Sequence, residues 1–211
     1  MNIVLATRNR YKIKEIKKIL GSLSVEISSA LDFPGLKEVA EDGKSIEENA
    51  IKKAIVVSKF TQQLAIADDS GLEVDALEGR PGVYSSRFAG ANATYDDNNK
   101  KLLELMEYVP PKNRTARFVC IVAIADRGKV KKIIKGTCEG IISFEPKGKT
   151  GFGYDPIFII PEYNKTFAEL GPEIKNKISH RAKAFLETRK FLITQASGCR
   201  RFRSADFERY G

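Results

Sequence analysis

Short apolar runs alternate with helically spaced apolar positions along most of this chain. Residues 2–6 carry Ile-Val-Leu-Ala, a buried-strand pattern broken at Thr7-Arg8-Asn9. From Lys12, the residues Ile13, Ile16, Ile19 and Leu20 recur at helical spacing as far as Gly21. The opening therefore predicts a strand, a polar turn and a helix N-terminus. A second strand is predicted over 25–28. Ser45-Ile46-Glu47-Glu48 has the form of a capping box opening a helix to about Thr61, with Ala50, Ala54 and Val57 on one face. Residues 64–67 predict a short strand ending at Asp68-Asp69-Ser70-Gly71. Residues 72–77 fit a strand or a turn before the loop 79–82.

A helix over 96–108 turns Leu102, Leu103 and Met106 inward. Residues 116–126 and 130–139 read as two strands joined at Arg127-Gly128, a hairpin. A strand over 141–144 follows, then a glycine-rich loop over 148–154. A last helix is predicted over about 179–196, with Phe185, Leu186, Leu192 and Ile193 apolar. No internal repeat interrupts this order. Helix-linked strands followed by hairpin strands predict an α/β fold on a mixed sheet.

The 211 residues, 42% hydrophobic, suit one large domain with a core of its own. The longest apolar run, 118–125, is far short of the ~20 residues of a membrane helix. The first residues lack the regions of a signal peptide. Three cysteines (Cys120, Cys138, Cys199) with no C-x-x-C pair point to reduced thiols in a cytoplasmic protein, and one histidine argues against structural zinc. Thirty-six basic residues against 27 acidic ones give a net charge of +9. Such a chain attracts polyanions, whether nucleic acid, a membrane surface or a nucleoside triphosphate. The cations are dispersed, so a well-solvated surface fits equally.

Candidate chemistry narrows the choice. In Thr7-Arg8-Asn9-Arg10-Tyr11-Lys12 a helix N-terminus, two short polar side chains and several cations converge, as a phosphate site requires. The turn has no glycine and is not a Walker A loop; an ordinary capped helix with surface cations fits it too. Asp68-Asp69 would repel each other unless solvent, hydrogen bonds or a cation intervene, and such hard oxygens suit Mg²⁺. An Asx-turn closing the strand is the plainer alternative. Glu38, Glu41 and Asp42 could join the same ion if the fold brings them near. Gly151-Phe152-Gly153-Tyr154-Asp155-Pro156 offers aromatics for stacking a base and an acid for hydrogen bonding, or equally a turn with its aromatics in the core. His180 has no nucleophile partner at a recognisable spacing.

Six strings taken in order resemble the inosine triphosphate pyrophosphatase family. They are Leu5-Ala6-Thr7-Arg8-Asn9-Arg10-Tyr11-Lys12, Glu47-Glu48-Asn49-Ala50, Ala67-Asp68-Asp69-Ser70-Gly71-Leu72-Glu73-Val74, Gly79-Arg80-Pro81-Gly82-Val83-Tyr84-Ser85-Ser86-Arg87, the Phe152 string, and Ile178-Ser179-His180-Arg181. The resemblance spans about residues 1–195. It implies an elongated α/β subunit with a long mixed sheet, two lobes and a substrate groove between them, and a homodimer. It also implies hydrolysis of non-standard purine nucleoside triphosphates (ITP, dITP, XTP) to nucleoside monophosphate and pyrophosphate, with Mg²⁺.

Carried over by residue, the resemblance gives the triphosphate to Thr7, Arg8, Asn9, Arg10, Tyr11 and Lys12. It makes Asp69 a Mg²⁺ ligand and proton acceptor, with Asp68 or the lowered pKa of a metal-bound water as the alternative source of deprotonation. Ser70 becomes a substrate contact, and Phe152, Gly153, Tyr154, Asp155, Lys175, His180 and Arg181 take the nucleoside side. Glu38 is the first choice for a second metal ligand, Glu41 the alternative. The donors of Lys175, His180 and Arg181 suit the six-position oxygen of inosine and xanthosine rather than the amino group of adenosine. Residues 196–211 are expected to be an unstructured basic tail, with Arg200, Arg201, Arg203 and Arg209 against Asp206 and Glu208. Two rivals remain: a Maf-like nucleotide pyrophosphatase, and a basic nucleic-acid-binding module. The resemblance calls for neither a membrane nor a specific nucleic-acid partner.

Overall fold

The computed structural model describes residues 2–21, 23 and 25–205, with side chains in the last helix described as far as residue 195. Strands β1 (Asn2–Leu5), β2 (Glu26–Ser29), β3 (Leu64–Val74), β4 (Thr115–Asp126), β5 (Lys129–Ile142), β6 (Phe158–Ile160) and β7 (Lys165–Thr166) form one sheet in the order β2-β1-β3-β4-β5-β6-β7. The β2-β1-β3 part is parallel and every later pairing is antiparallel, which makes the expected mixed sheet. Helices α1 (Arg10–Leu20) and α2 (Ile46–Thr61) supply the crossovers of the parallel part. Helices α3 (Tyr95–Leu105), α4 (Phe167–Ile178) and α5 (His180–Ala205) complete the layers.

β4 explains the long apolar run. Successive side chains of a strand face opposite ways. Val119, Ile121 and Ala123 pack with Ala50, Ala54 and Val57 of α2. Cys120, Val122 and Ile124 pack with Ile16 and Leu20 of α1 and Phe185 of α5. A strand covered on both faces has no polar side to show. A third cluster, with Leu72, Leu102, Met106, Phe118, Phe158 and Phe167, fills the far end of the sheet.

Several expectations are corrected here. β3 does not stop at Asp68-Asp69 but runs on to Val74, paired with β4 from Leu64↔Asp126 to Val74↔Ala116. The carboxylates are tolerated within the strand because cations meet each of them. The strand expected over 141–144 is the end of β5, whose hairpin turns at Arg127 (φ 46°) and Gly128 (φ 81°), the left-handed pair a two-residue hairpin needs. Helix α4 was not predicted because Gly171-Pro172 breaks its pattern, with Gly171 at φ 75°. Its start is nonetheless well capped: Thr166 Oγ1 accepts from the Glu169 N–H (3.2 Å), and the Glu169 carboxylate accepts from the Thr166 N–H (2.8 Å).

At α2 the reciprocal half of the capping box is absent. Ser45 Oγ accepts from the Glu48 N–H, but the Glu48 carboxylate accepts from Lys44 instead. Helix α5 continues to Ala205, so the backbone of the predicted tail begins as helix, consistent with its Ala and Arg content. Residues 206–211 lie outside the described residues. Cys120 and Cys138 are free and buried, and the Cys199 side chain lies outside the described set. Among the described residues, no helix is long and apolar enough to cross a membrane.

Candidate active site

A cleft of about 270 Å³ opens where the α2-side core meets the cluster at the far end of the sheet. One wall is the turn after β1. Thr7 Oγ1 accepts from the Asn9 N–H (3.2 Å), and Asn9 Oδ1 accepts from the N–H groups of Tyr11 (2.9 Å) and Lys12 (3.2 Å). The backbone donors expected to bind phosphate are therefore already occupied by an N-cap. Side chains of Thr7, Arg8, Asn9 and Lys12 line the cleft instead. Arg8 donates to the Leu36 carbonyl, which fixes the turn against the loop opposite. Arg10 and Tyr11 do not line the cleft; Tyr11 stacks on Phe152, with ring centroids 5.3 Å apart.

The acidic centre is built around Lys53, a residue of α2 that the sequence did not single out. Its Nζ lies 3.1 Å from Asp69 Oδ1 and 2.7 Å from Glu41 Oε1, and donates to the Asp68 carbonyl at 2.9 Å. Burial pushes the Asp69 carboxyl up, and Glu41 adds to this against the opposing pull of Lys53 and Lys12. Burial acts on Glu41 in the same sense, but Lys53, Lys12 and Arg87 together outweigh it and the net shift is down. Arg87 Nη2 donates to the Glu41 carbonyl (3.0 Å) and anchors that loop. Glu38 lines the cleft but is exposed, so of the two upstream acids the fold brings Glu41 to Asp69.

The donor set of Glu41 and Asp69 fits Mg²⁺, which takes one or two carboxylates and fills its shell with water and substrate phosphate. Among the described residues, no group of three or more His, Cys, Asp and Glu side chains could hold an ion alone.

Asp68 has a different fate. Its side chain is fully buried and lies 3.0 Å from Lys12 Nζ and 3.1 Å from Arg181 Nε. Burial alone would raise this carboxyl, yet Lys12 and Arg181 hold it far below the usual carboxylate range. Arg181 also donates from Nη1 to Glu15 Oε2 (2.7 Å) and from Nη2 to Ser70 Oγ (3.3 Å). Glu15 pairs in turn with Lys175 (3.1 Å), and Lys175 with Asp155 (2.6 Å). The Asp155 carboxylate accepts from the Phe152 N–H at 2.9 Å. A continuous ionic chain thus runs from Lys12 to the loop carrying Phe152.

The sequence fits the profile of the Ham1 family over residues 3–191. The chain belongs to the Ham1 family. A relative from Desulforamulus reducens named dITP/XTP pyrophosphatase is 53% identical, over 91% of this chain and 96% of its own length. One of the same name from Geobacillus kaustophilus is 50% identical, over 86% and 89%. The HAM1 protein of Coxiella burnetii superposes with a TM-score of 0.85 at 41% identity, covering 92% of this chain and 99% of that one.

In this Ham1 chain the other lining residues sort by partner. Tyr154 is buried, and its hydroxyl donates to the Ser85 carbonyl (2.9 Å), which ties the aromatic loop to the turn 82–87. The Gly153 carbonyl accepts from Asn99 Nδ2 (3.0 Å). His180 is buried and stacked on Phe118 with centroids 4.7 Å apart, and its Nδ1 has no hydrogen-bond partner among the described residues. Burial, then Arg181 and Lys175, push the His180 pKa well below its ordinary value, so the ring is neutral. Lys53, Glu15 and Asn99 escaped sequence reading, and Arg87 stood only within the string 79–87, with no role assigned to it. Only Glu15 carried a local signal, standing three residues from Lys12 on one helix face.

Proposed function

We propose that this chain hydrolyses the α–β phosphoanhydride of non-canonical purine nucleoside triphosphates (dITP, XTP and ITP), releasing nucleoside monophosphate and pyrophosphate and so keeping those nucleotides out of DNA and RNA. The observation that carries the reading is a single cleft joining the Glu41–Lys53–Asp69 centre to Phe152, Lys175, His180 and Arg181. The names of the 53% and 50% identical relatives support the same substrate class.

The triphosphate lies along Thr7, Arg8, Asn9 and Lys12, whose cations meet the charge that builds on the leaving pyrophosphate. Glu41 and Asp69 would hold Mg²⁺, which when bound would neutralise phosphate charge and polarise the reacting centre. Asp69 faces the cleft and accepts the proton of the attacking water, with the lowered pKa of a metal-bound water as the alternative source of deprotonation. Asp68 does not serve as this base, because Lys12 and Arg181 keep it weakly basic. Lys53 separates the two carboxylates and fixes their aim. On the nucleoside side Phe152 stacks on the base, while Lys175 and His180 favour a six-position oxygen. The same reading makes residues 1–195 the catalytic domain of a cytoplasmic homodimer.

Hydrolysis of ITP, dITP, XTP, GTP and ATP with Mg²⁺, with products identified, tests it. Preferential release of pyrophosphate from the first three is expected; orthophosphate and nucleoside diphosphate as primary products would overturn it. A Maf-like preference for other nucleotides shows in the same panel. Salt-dependent nucleic-acid binding without turnover would favour the binding-module reading.

A further inference from the structure

The base platform is closed on its own cations. Lys175 Nζ lies 4.3 Å from the Phe152 ring centroid, and the Arg181 guanidinium carbon 5.7 Å. A flat base needs about 3.5–4 Å to the atoms on each side, so a base stacked between Phe152 and Lys175 requires roughly 7–8 Å. The gap seen here admits none. Phe152 must lift before a base can enter.

Two tyrosines hold it down. Tyr11 stacks on Phe152 at 5.3 Å and 22°, and Tyr95, the first residue of α3, meets it at 6.0 Å and 45°. Tyr11 is 57% exposed and lies outside the cleft lining, whereas Lys175 is 3% exposed and lines the cleft together with Phe152. The Asn9 cap fixes the Tyr11 backbone in the first turn of α1, which sets where its ring starts from. The Phe152 backbone is flanked by Gly151 (φ 84°) and Gly153 (φ 64°), where an L side chain would be strained, and these are natural pivots for the ring.

We propose that Tyr11 is a positioning residue that latches Phe152 over Lys175 and Arg181, so that a nucleotide gains the base site only by breaking the Tyr11–Phe152 stack. The inference rests on the functional reading above for the identity of the ligand. A latch of this kind lowers apparent affinity by the fraction of molecules that are open. Lys12, next in sequence, pairs with Asp68 below the cleft, so a single capped turn links the phosphate wall to the latch.

Two measurements test it. In Tyr11→Ala the KM for dITP should fall about two- to tenfold, the range of one aromatic pair, moving further than kcat; Tyr11→Phe should restore the wild-type value. A KM that is unchanged or raised in Tyr11→Ala overturns the latch. The chain has no tryptophan, so Tyr11→Trp provides a single reporter stacked on Phe152. Its emission should shift on adding dITP or inosine monophosphate and should not respond when Phe152→Ala is added. Emission blind to both nucleotides overturns the latch as well. If the wild type cleaves no triphosphate in the panel above, the functional reading fails, and the emission change still decides whether Phe152 moves for a nucleotide.

Discussion

Asp68 and Asp69 are neighbours in the chain but face opposite sides of β3. Asp68 is in register with Val122, on the α1 and α5 side, and meets Lys12 and Arg181. Asp69 is in register with Ile121, on the α2 side, and meets Lys53. The strand's period of two thus divides a pair that looks redundant in sequence into two environments. One carboxylate is locked into an ion pair and the other is raised in pKa beside the cleft.

The two should respond differently to the same substitution. Asp69→Asn should lower turnover of dITP by about 10²–10⁴ with little loss of melting temperature, since it removes a proton acceptor and a metal ligand. Asp68→Asn should lower stability by about 3–5 kcal/mol, because it leaves Lys12 and Arg181 facing a neutral group in a buried site. Kinetics and thermal melts on the two variants separate these roles. Equal loss of turnover with no loss of stability in Asp68→Asn would assign it chemistry instead.

Glu15 bridges Lys175 and Arg181 and has no contact with Asp69 among those described. Glu15→Gln keeps the shape but loosens both cations. KM for dITP should rise about tenfold, near 1.4 kcal/mol, while kcat changes less. A fall in kcat at constant KM would place Glu15 in the chemical step.

Gly136 lies under the first turn of α5. A Cβ there would come within 2.3 Å of the His180 carbonyl oxygen and 2.7 Å of the Ala184 nitrogen, both backbone atoms. Gly136→Ala must therefore push α5 off β5 and carry His180 and Arg181 with it. A destabilisation of about 1–3 kcal/mol and weaker dITP binding are expected, read by denaturant unfolding and KM together. Unchanged values would mean that the helix shifts freely at this point.

The mixed sheet and most of the helices were legible because burial on one or both faces leaves a period in the sequence. The hairpin at Arg127-Gly128 was legible through its turn residues. Helix α4 was not, since Gly171-Pro172 interrupts the pattern while the Thr166–Glu169 cap lies upstream of it. At the site, the motif strings pointed to Asp69, Phe152 and His180, but Lys53 and Glu15 look like solvated charges on Lys-rich helices. Their roles come from partners distant in sequence, Asp69 sixteen residues from Lys53 and Arg181 166 residues from Glu15. Tyr11 shows the converse: a member of the phosphate-loop string that the fold turns toward an aromatic ring.

His180 is the only histidine, so its titration can be isolated. Burial, Arg181 and Lys175 hold its folded-state pKa well below 6.5, whereas in the unfolded chain it takes a proton near pH 6.5. Below that pH the unfolded state binds more protons than the folded one, so stability is fully present above about pH 7 and falls as pH drops, by up to about 1.4 kcal/mol per unit. Asp69 and Asp155 act in the opposite sense, because burial raises both carboxyls and their folded forms hold protons more tightly than the unfolded chain does. The net profile mixes these terms. The difference between wild type and His180→Asn cancels the carboxyl part and leaves the histidine. Unfolding free energies at pH 5.0, 6.0, 7.0 and 8.0 should show the wild type losing stability relative to His180→Asn on the acid side, with a constant gap above pH 7. A gap independent of pH throughout would mean that His180 takes up its proton in the folded protein as readily as in the unfolded chain.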